Sequence, residues 1–178
     1  MNICVFCGSS TGHNSVFADA AITLGIALAN RNITLVYGGG NVGLMGILAD
    51  SVLKHGGNAV GVIPDFLMKR EVGHKNLTRL EVVSSMHERK KRMADISDAF
   101  IAMPGGWGTL DELAEILTWK QLGLINQPVG ILNTNHFFDP LLQQMNAMQE
   151  TGFLRQAYLD FLVVNTSPEE LVISLIPQ

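Results

Sequence analysis

Residues 99–112 read AFIAMPGGWGTLDE. The unbroken apolar run at 99–103 describes a strand covered on both faces, the pattern of a parallel strand lying under crossover helices. It runs straight into Pro104, Gly105 and Gly106, and from Thr109 to Leu122 the chain takes up a helical pattern. Strand, glycine turn and helix in this order are the opening of a βαβ unit.

The same unit recurs on either side. Residues 2–7 form a strand that leads through GSST (8–11) to a helix at 15–30, with apolar residues at Phe17, Ile22, Leu24, Ile26 and Leu28. Residues 33–37 form a strand that ends in GGGNVGLMG (38–46) and leads to a helix over about 42–55; residues 59–63 are a strand closed by Pro64. After a polar stretch without periodicity at 64–78 come a strand at 80–83 and a helix at 86–95. Beyond the quoted segment lie strands at 128–132 and 161–164, and helices at 137–150 and 168–175. Ser167 is placed to cap the last helix, and Pro168 fits its first turn because a missing N–H loses no partner there. About seven strands joined by crossover helices predict an α/β fold, a Rossmann-like, doubly wound, mostly parallel sheet flanked by helices. The ligand crevice of such a sheet lies beyond the carboxyl ends of its strands. The 178 residues, without repeat, low-complexity tract or linker, are read as one domain, 1–178.

Composition narrows the partners. Charged residues make up 16% of the chain, below the roughly 25% of an ordinary soluble domain, which points to extra buried surface and so to a homodimer or a higher homo-oligomer. A net charge of −4 without a long basic run disfavours nucleic acid. No apolar stretch nears the roughly 20 residues that span a bilayer, and no secretory signal is visible, so a cytoplasmic protein with no membrane partner is expected. Cys4 and Cys7 fall inside the first strand and read as reduced core residues.

Three glycine turns follow strands and should converge on one edge of the sheet: Gly8–Thr11, Gly38–Gly46 and Pro104–Glu112. In the third, Gly105, Gly106 and Gly108 permit close approach of a ligand, and Thr109 opens a helix whose unpaired N–H groups favour phosphate. No Gly-Lys-Ser/Thr triplet follows, which argues against a nucleoside triphosphatase, and the spacing of Gly38, Gly40 and Gly43 follows the second strand, not the first, unlike a dinucleotide fingerprint. Glycines that only make tight turns are the plainer alternative. Glu112, Glu115 and Thr118 share nearly one helix face, with Asp111 and Glu112 open to a second reading as helix-end charges. MHERKKRM (86–93) gathers Arg89, Lys90, Lys91 and Arg92 near a helix start, where cations are unfavourable unless solvated or balanced by an anion; the anion is the better reading in a chain with 12 Lys and Arg. Arg89 would clamp a phosphate or carboxylate or orient ribose hydroxyls. His87 is either a general acid or an ordinary hydrogen-bonded neighbour. The histidines are scattered and no HExxH spacing occurs, so no metal and no other cofactor is expected. The absence of a GxSxG elbow removes serine hydrolase chemistry.

MHERKKRM and PGGWGTLDE, in this order and with VFCGSS and YGGGNVGLMG before them, closely resemble the LOG family of cytokinin riboside 5′-monophosphate phosphoribohydrolases, long labelled lysine decarboxylases. The resemblance spans essentially the whole chain. It implies hydrolysis of the N-glycosidic bond of a nucleoside 5′-monophosphate, cytokinin riboside 5′-monophosphate or AMP, with Arg89 and Glu112 as catalytic residues. It further implies a nucleotide pocket of Glu71, Lys90, Gly105, Gly106, Trp107, Gly108, Thr109, Leu110, Asp111 and Thr118, joined by Gly8 and Ser9 of the first turn, with Gly39, Asn41, Met86, His87 and Glu115 as further candidates. The family forms homodimers, with the MHxRK helix near the dimer contact. Trp107 stands where tyrosine is common, Asp111 where glutamate is frequent, and MHERKKRM carries an arginine where alanine or glutamate is often seen. A non-catalytic nucleotide or cofactor carrier of the same fold is the alternative, disfavoured because a carrier has no use for a carboxylate beside an anomeric carbon. A phosphoribosyl transferase is disfavoured because no acidic pair precedes a phosphate loop.

Overall fold

The computed structural model describes residues 1–68 and 73–176. Among these residues seven parallel strands form one sheet: β1 (Asn2–Phe6), β2 (Thr34–Tyr37), β3 (Ala59–Pro64), β4 (Arg79–Val83), β5 (Ala99–Ala102), β6 (Val129–Leu132) and β7 (Leu162–Asn165). Their spatial order is β4-β3-β2-β1-β5-β6-β7, so the chain winds outward from β1 to one edge, returns to pair β5 with β1, and winds to the other edge. β1 and β5 are in register from Ile3 opposite Ala99 to Phe6 opposite Ala102. The crossovers are α1 (Val16–Ala29), α2 (Gly43–Lys54), α3 (Met86–Asp95), α4 (Trp107–Gln121) and α5 (Asp139–Glu150), and α6 (Pro168–Leu175) closes the chain.

The apolar runs follow from this two-sided cover. Successive strand residues point to opposite faces, and in β1 Ile3 and Val5 enter the core under α1, α2 and α6 while Cys4 and Phe6 enter the core under α3, α4 and α5. β5 divides likewise, Ala99 and Ile101 to one side, Phe100 and Ala102 to the other. Each such Ile, Val or Phe removed from water contributes about 1.5–3 kcal/mol. On the edge strand β4 the pattern loosens and Arg79 and Val82 are exposed.

Helix ends explain where the sequence reading holds. α3 begins where expected because Ser85 Oγ accepts from the Glu88 N–H (3.2 Å) and Glu88 Oε2 accepts from the Ser84 N–H (2.8 Å) and hydroxyl (2.7 Å), a variant of the capping box. Ser167 caps α6 by accepting from the Glu170 N–H. α4, expected from Thr109, starts two residues earlier at Trp107, with Gly106 as its non-helical cap; Trp107 and Gly108 look like part of a turn but belong to the first helical turn. α5 starts at Asp139 instead of 137, because a 3₁₀ turn at 134–136 precedes it and the Asn133 side chain accepts from the Phe138 N–H. Among the described residues no helix is long and apolar enough to cross a membrane.

Candidate functional site

β1 and β5 are neighbours at the centre of the sheet, yet their chains leave toward opposite faces, β1 to α1 and β5 to α4. That divergence opens a crevice at the carboxyl ends of the two strands. The turn after β1 and the turn after β5 form its floor, tied by the Gly8 N–H donating to the Pro104 carbonyl (3.1 Å). A cleft of about 570 Å³ occupies this point, lined by Gly8, Ser9, Gly38, Arg89, the 106–109 segment and Glu112.

One wall is the first turn of α4. The amides of Trp107, Gly108 and Thr109 lie ahead of the first intrahelical bond, which runs from the Leu110 N–H to the Gly106 carbonyl, and such amides make a helix start a natural anion seat. Gly106 and Gly108 border open space, while Gly105 is held to glycine by contact: a Cβ there would lie 2.1 Å from Thr109 Oγ1. Thr109 is accordingly buried as the third residue of the helix, not its opening one.

The opposite wall carries Arg89, whose side chain crosses from α3 under the sheet's edge and is only 5% exposed. Nε donates to the Val62 carbonyl (3.1 Å) and Nη2 to the Gly38 carbonyl (2.7 Å). Met86 Sδ lies 3.9 Å from Nη1. Charged donors on main-chain acceptors hold the guanidinium in one orientation. Glu112, half-buried on α4, lines the same cleft; α3 and α4 cover the same face of the sheet. The field of this carboxylate reaches the neighbouring thiols: burial first, then Glu112, pushes Cys7 well above the ordinary thiol value, and Cys4 is raised by the same two causes.

The cation cluster is not balanced by one anion. Helical geometry sends its members to separate internal partners: Arg89 to the carbonyls, Lys90 to Asp111 and Glu115 (3.2 Å each), Lys91 to Asp95, and Arg92 to Glu81 (2.7 Å). Lys90 thereby braces α3 against α4. Burial works against its charge, but the hydrogen bonds it donates to Asp111 and Glu115 outweigh that and hold its pKa above the ordinary lysine value.

The structure thus brings together Arg89, Glu112, Gly8, Ser9, Gly106, Trp107, Gly108 and Thr109 around the cleft, with Met86 beside Arg89. Trp107 stands at the mouth, 85% exposed. Lys90, Asp111 and Glu115 form the brace beside it. Leu110 and Thr118 lie elsewhere, on an apolar groove of about 980 Å³ between α4 and α5, and Thr118 donates to the Ala114 carbonyl. Gly39 and Asn41 belong to the turn after β2 and do not line the cleft, and His87 is exposed on α3. Gly105 borders a second cavity of about 550 Å³ that shares Gly8, Ser9 and Gly106 with the first. Glu71 lies outside the described residues. Cleft-lining residues that sequence reasoning passed over include Val5, Phe6, Cys7 and Met45; the only signal was their place at the carboxyl edge, at the end of β1 and directly after a glycine run.

The sheet order and the switch-point cleft, with helix amides on one wall and a fixed guanidinium on the other, place the chain in the doubly wound α/β class that binds its ligand at the strand ends. Residues 45–175 match a family model described as possible lysine decarboxylase. A probable cytokinin riboside 5′-monophosphate phosphoribohydrolase of Oryza sativa subsp. japonica is 48% identical over 96% of this chain and 70% of its own length. A cytokinin riboside 5′-monophosphate phosphoribohydrolase of Arabidopsis thaliana is 48% identical over 96% and 80%. Among solved structures, the molybdenum cofactor binding protein of Rippkaea orientalis superposes with a TM-score of 0.73 at 25% identity, over 99% of this chain and 97% of that one. The chain belongs to the LOG family, that of the cytokinin riboside 5′-monophosphate phosphoribohydrolases.

Proposed function

We propose that this protein hydrolyses the N-glycosidic bond of a nucleoside 5′-monophosphate, cytokinin riboside 5′-monophosphate or AMP, to the free base and ribose 5-phosphate. The observation that carries the reading is that the Arg89 guanidinium, the Glu112 carboxylate and the amides opening α4 line one cleft. In this mechanism the 5′-phosphate sits on the amides of 107–109, a non-reacting handle whose binding energy positions the sugar. Arg89 holds the ribose. Glu112 stabilises the positive charge that grows at the anomeric carbon as the bond to the base lengthens. It also takes a proton from the attacking water, whose oxygen bonds to that carbon. The electron pair of the broken C–N bond leaves with the base, which takes up a proton from solvent, and Glu112 gives the water's proton back to solvent, so that the net change is the splitting of one water between the base and the ribose.

The decarboxylase description of the family model does not suit these residues. A cofactor held there as a Schiff base needs a lysine amine in the cleft, and among the described residues none lines it. Lys90 is committed to two carboxylates, and Lys120 donates to the Asn126 and Gln127 carbonyls over the Phe161 ring. A carrier role, favoured by the likeness to the molybdenum cofactor binding protein, accounts for the fold but leaves Glu112 without a task. The low charge content, together with exposed Trp107, Leu124 and Phe153, supports a homodimer, and we read the protein as cytoplasmic and the chain as a single domain.

The test is chromatographic. Nucleoside monophosphates incubated with the protein should release free base, and the matching nucleosides should be poor substrates. Failure to release base from any monophosphate overturns the assignment.

A further inference from the structure

Arg89 is oriented by the carbonyl of Gly38, and Gly38 opens a run of three glycines. Glycine peptides have the widest conformational freedom of any, so a carbonyl in such a run faces a fixed direction only if something outside the run holds it. Next to this turn stands a buried histidine that the mechanism above does not use.

His74 is 3% exposed. Its main-chain N–H donates to the Gly39 carbonyl (3.0 Å), and Gly73 and Gly40 form an isolated antiparallel bridge beside it. Its ring is held at both nitrogens. Nδ1 lies 3.2 Å from the Asn76 N–H, which can only donate, so Nδ1 accepts and the proton is on Nε2. Nε2 then donates to Asp50 Oδ1 (3.1 Å) on the outer side of α2. Asp50, the His74 ring, the His74 amide, Gly39, the Gly38 carbonyl and the Arg89 guanidinium are therefore linked by an unbroken path of bonds and hydrogen bonds.

We infer that His74 is a positioning residue for Arg89: by fastening its own segment to α2 through Asp50, it fixes the glycine turn whose carbonyl aims the guanidinium. His74 does not line the cleft, so it acts only through that turn. The inference rests on Arg89 acting in the proposed hydrolysis.

The experiment compares wild type, His74→Ala, His74→Gln and Asp50→Ala, each with Arg89 intact and with Arg89→Lys, for kcat and KM on AMP. Misplacing a positioned group by about 1 Å costs up to about 100-fold, so His74→Ala should lower kcat between about 10- and 100-fold. Glutamine can both donate to Asp50 and accept from Asn76, so His74→Gln should restore most of that loss. Asp50→Ala, on the solvent side of the same bond, should lose activity in the same direction, and it carries the measurement if His74→Ala folds poorly. With Arg89→Lys, the His74 and Asp50 substitutions should cost little more. An equal fold-loss in both backgrounds, or an unchanged kcat in His74→Ala, overturns the inference. Proton exchange at Arg89 Nε, followed by nuclear magnetic resonance, reads the same linkage without turnover and should quicken in His74→Ala; unchanged exchange also overturns it. Absence of base release by the wild type would defeat the functional reading alone and leave the exchange measurement to decide on His74.

Discussion

Gly38→Ala is the substitution that best separates the working of the cleft from the stability of the fold. The backbone at Gly38 is not in the left-handed region, so alanine is acceptable there except for its methyl group. That carbon would lie 2.2 Å from Arg89 Nη2 and 3.1 Å from Cζ. To reach ordinary contact near 3.4 Å the guanidinium must retreat by about 1.2 Å, and the 2.7 Å bond to the Gly38 carbonyl goes with it. A displacement of that size at a positioned catalytic group is worth about 100-fold in rate. The stability cost is limited to weakened bonds from a charged donor, about 1.5–3 kcal/mol, or a fall in unfolding temperature of roughly 3–12 °C for a chain of this length. The assay pairs base release from AMP, measured to saturation, with thermal unfolding of the same preparation. A folded Gly38→Ala protein with undiminished kcat/KM would refute the claim that this carbonyl aims Arg89.

Glu112→Gln should keep nucleotide affinity, measured by calorimetry, while turnover falls at least ~100-fold; near-normal turnover would remove Glu112 from the chemistry. Lys90→Met cuts the brace between α3 and α4, whose lysine is largely covered while its carboxylates are in part exposed; at the upper end for surface pairs, about 1 kcal/mol each, the unfolding temperature should drop by about 4–8 °C, and a rise would show that the brace does not stabilise. The Arg92 hydrogen bond holds the Glu81 carboxyl below its ordinary value of 4.5. Its contribution is therefore present above that pH and lost as pH falls through the lower, folded-state value. Glu81→Gln should flatten the decline in unfolding temperature below about pH 4.5, and an unaltered acid limb would count against the assignment.

Much of the fold was legible because a parallel sheet covered on both sides writes itself as unbroken apolar runs, such as 99–103 and 59–63. Helix starts were read correctly at Met86 and at Pro168, the latter announced by Ser167, and misread at Trp107, where the cap is a main-chain feature of Gly106. Arg89 and Glu112 stood out as motif residues, and the glycine turns that share their cleft were legible beside them. What holds Arg89 was not, because its partners lie far away in the chain: it reaches the carbonyls of Gly38 and Val62, and main-chain acceptors leave no trace in residue type. For the same reason four consecutive cations looked like one anion site. Helical rotation directs each elsewhere, a fact that appears only once α4 and β4 are in place.

Of the seven strands, β1 is the middle one, and the turns bearing Gly8 and Pro104 hang from it and from its neighbour β5. Opening of a sheet by thermal fluctuation starts at its rims and reaches the centre last. The floor of the cleft is thus seated on central strands, which are expected to open late, so heating should wear away β7 and β4 while these two turns still keep their spacing.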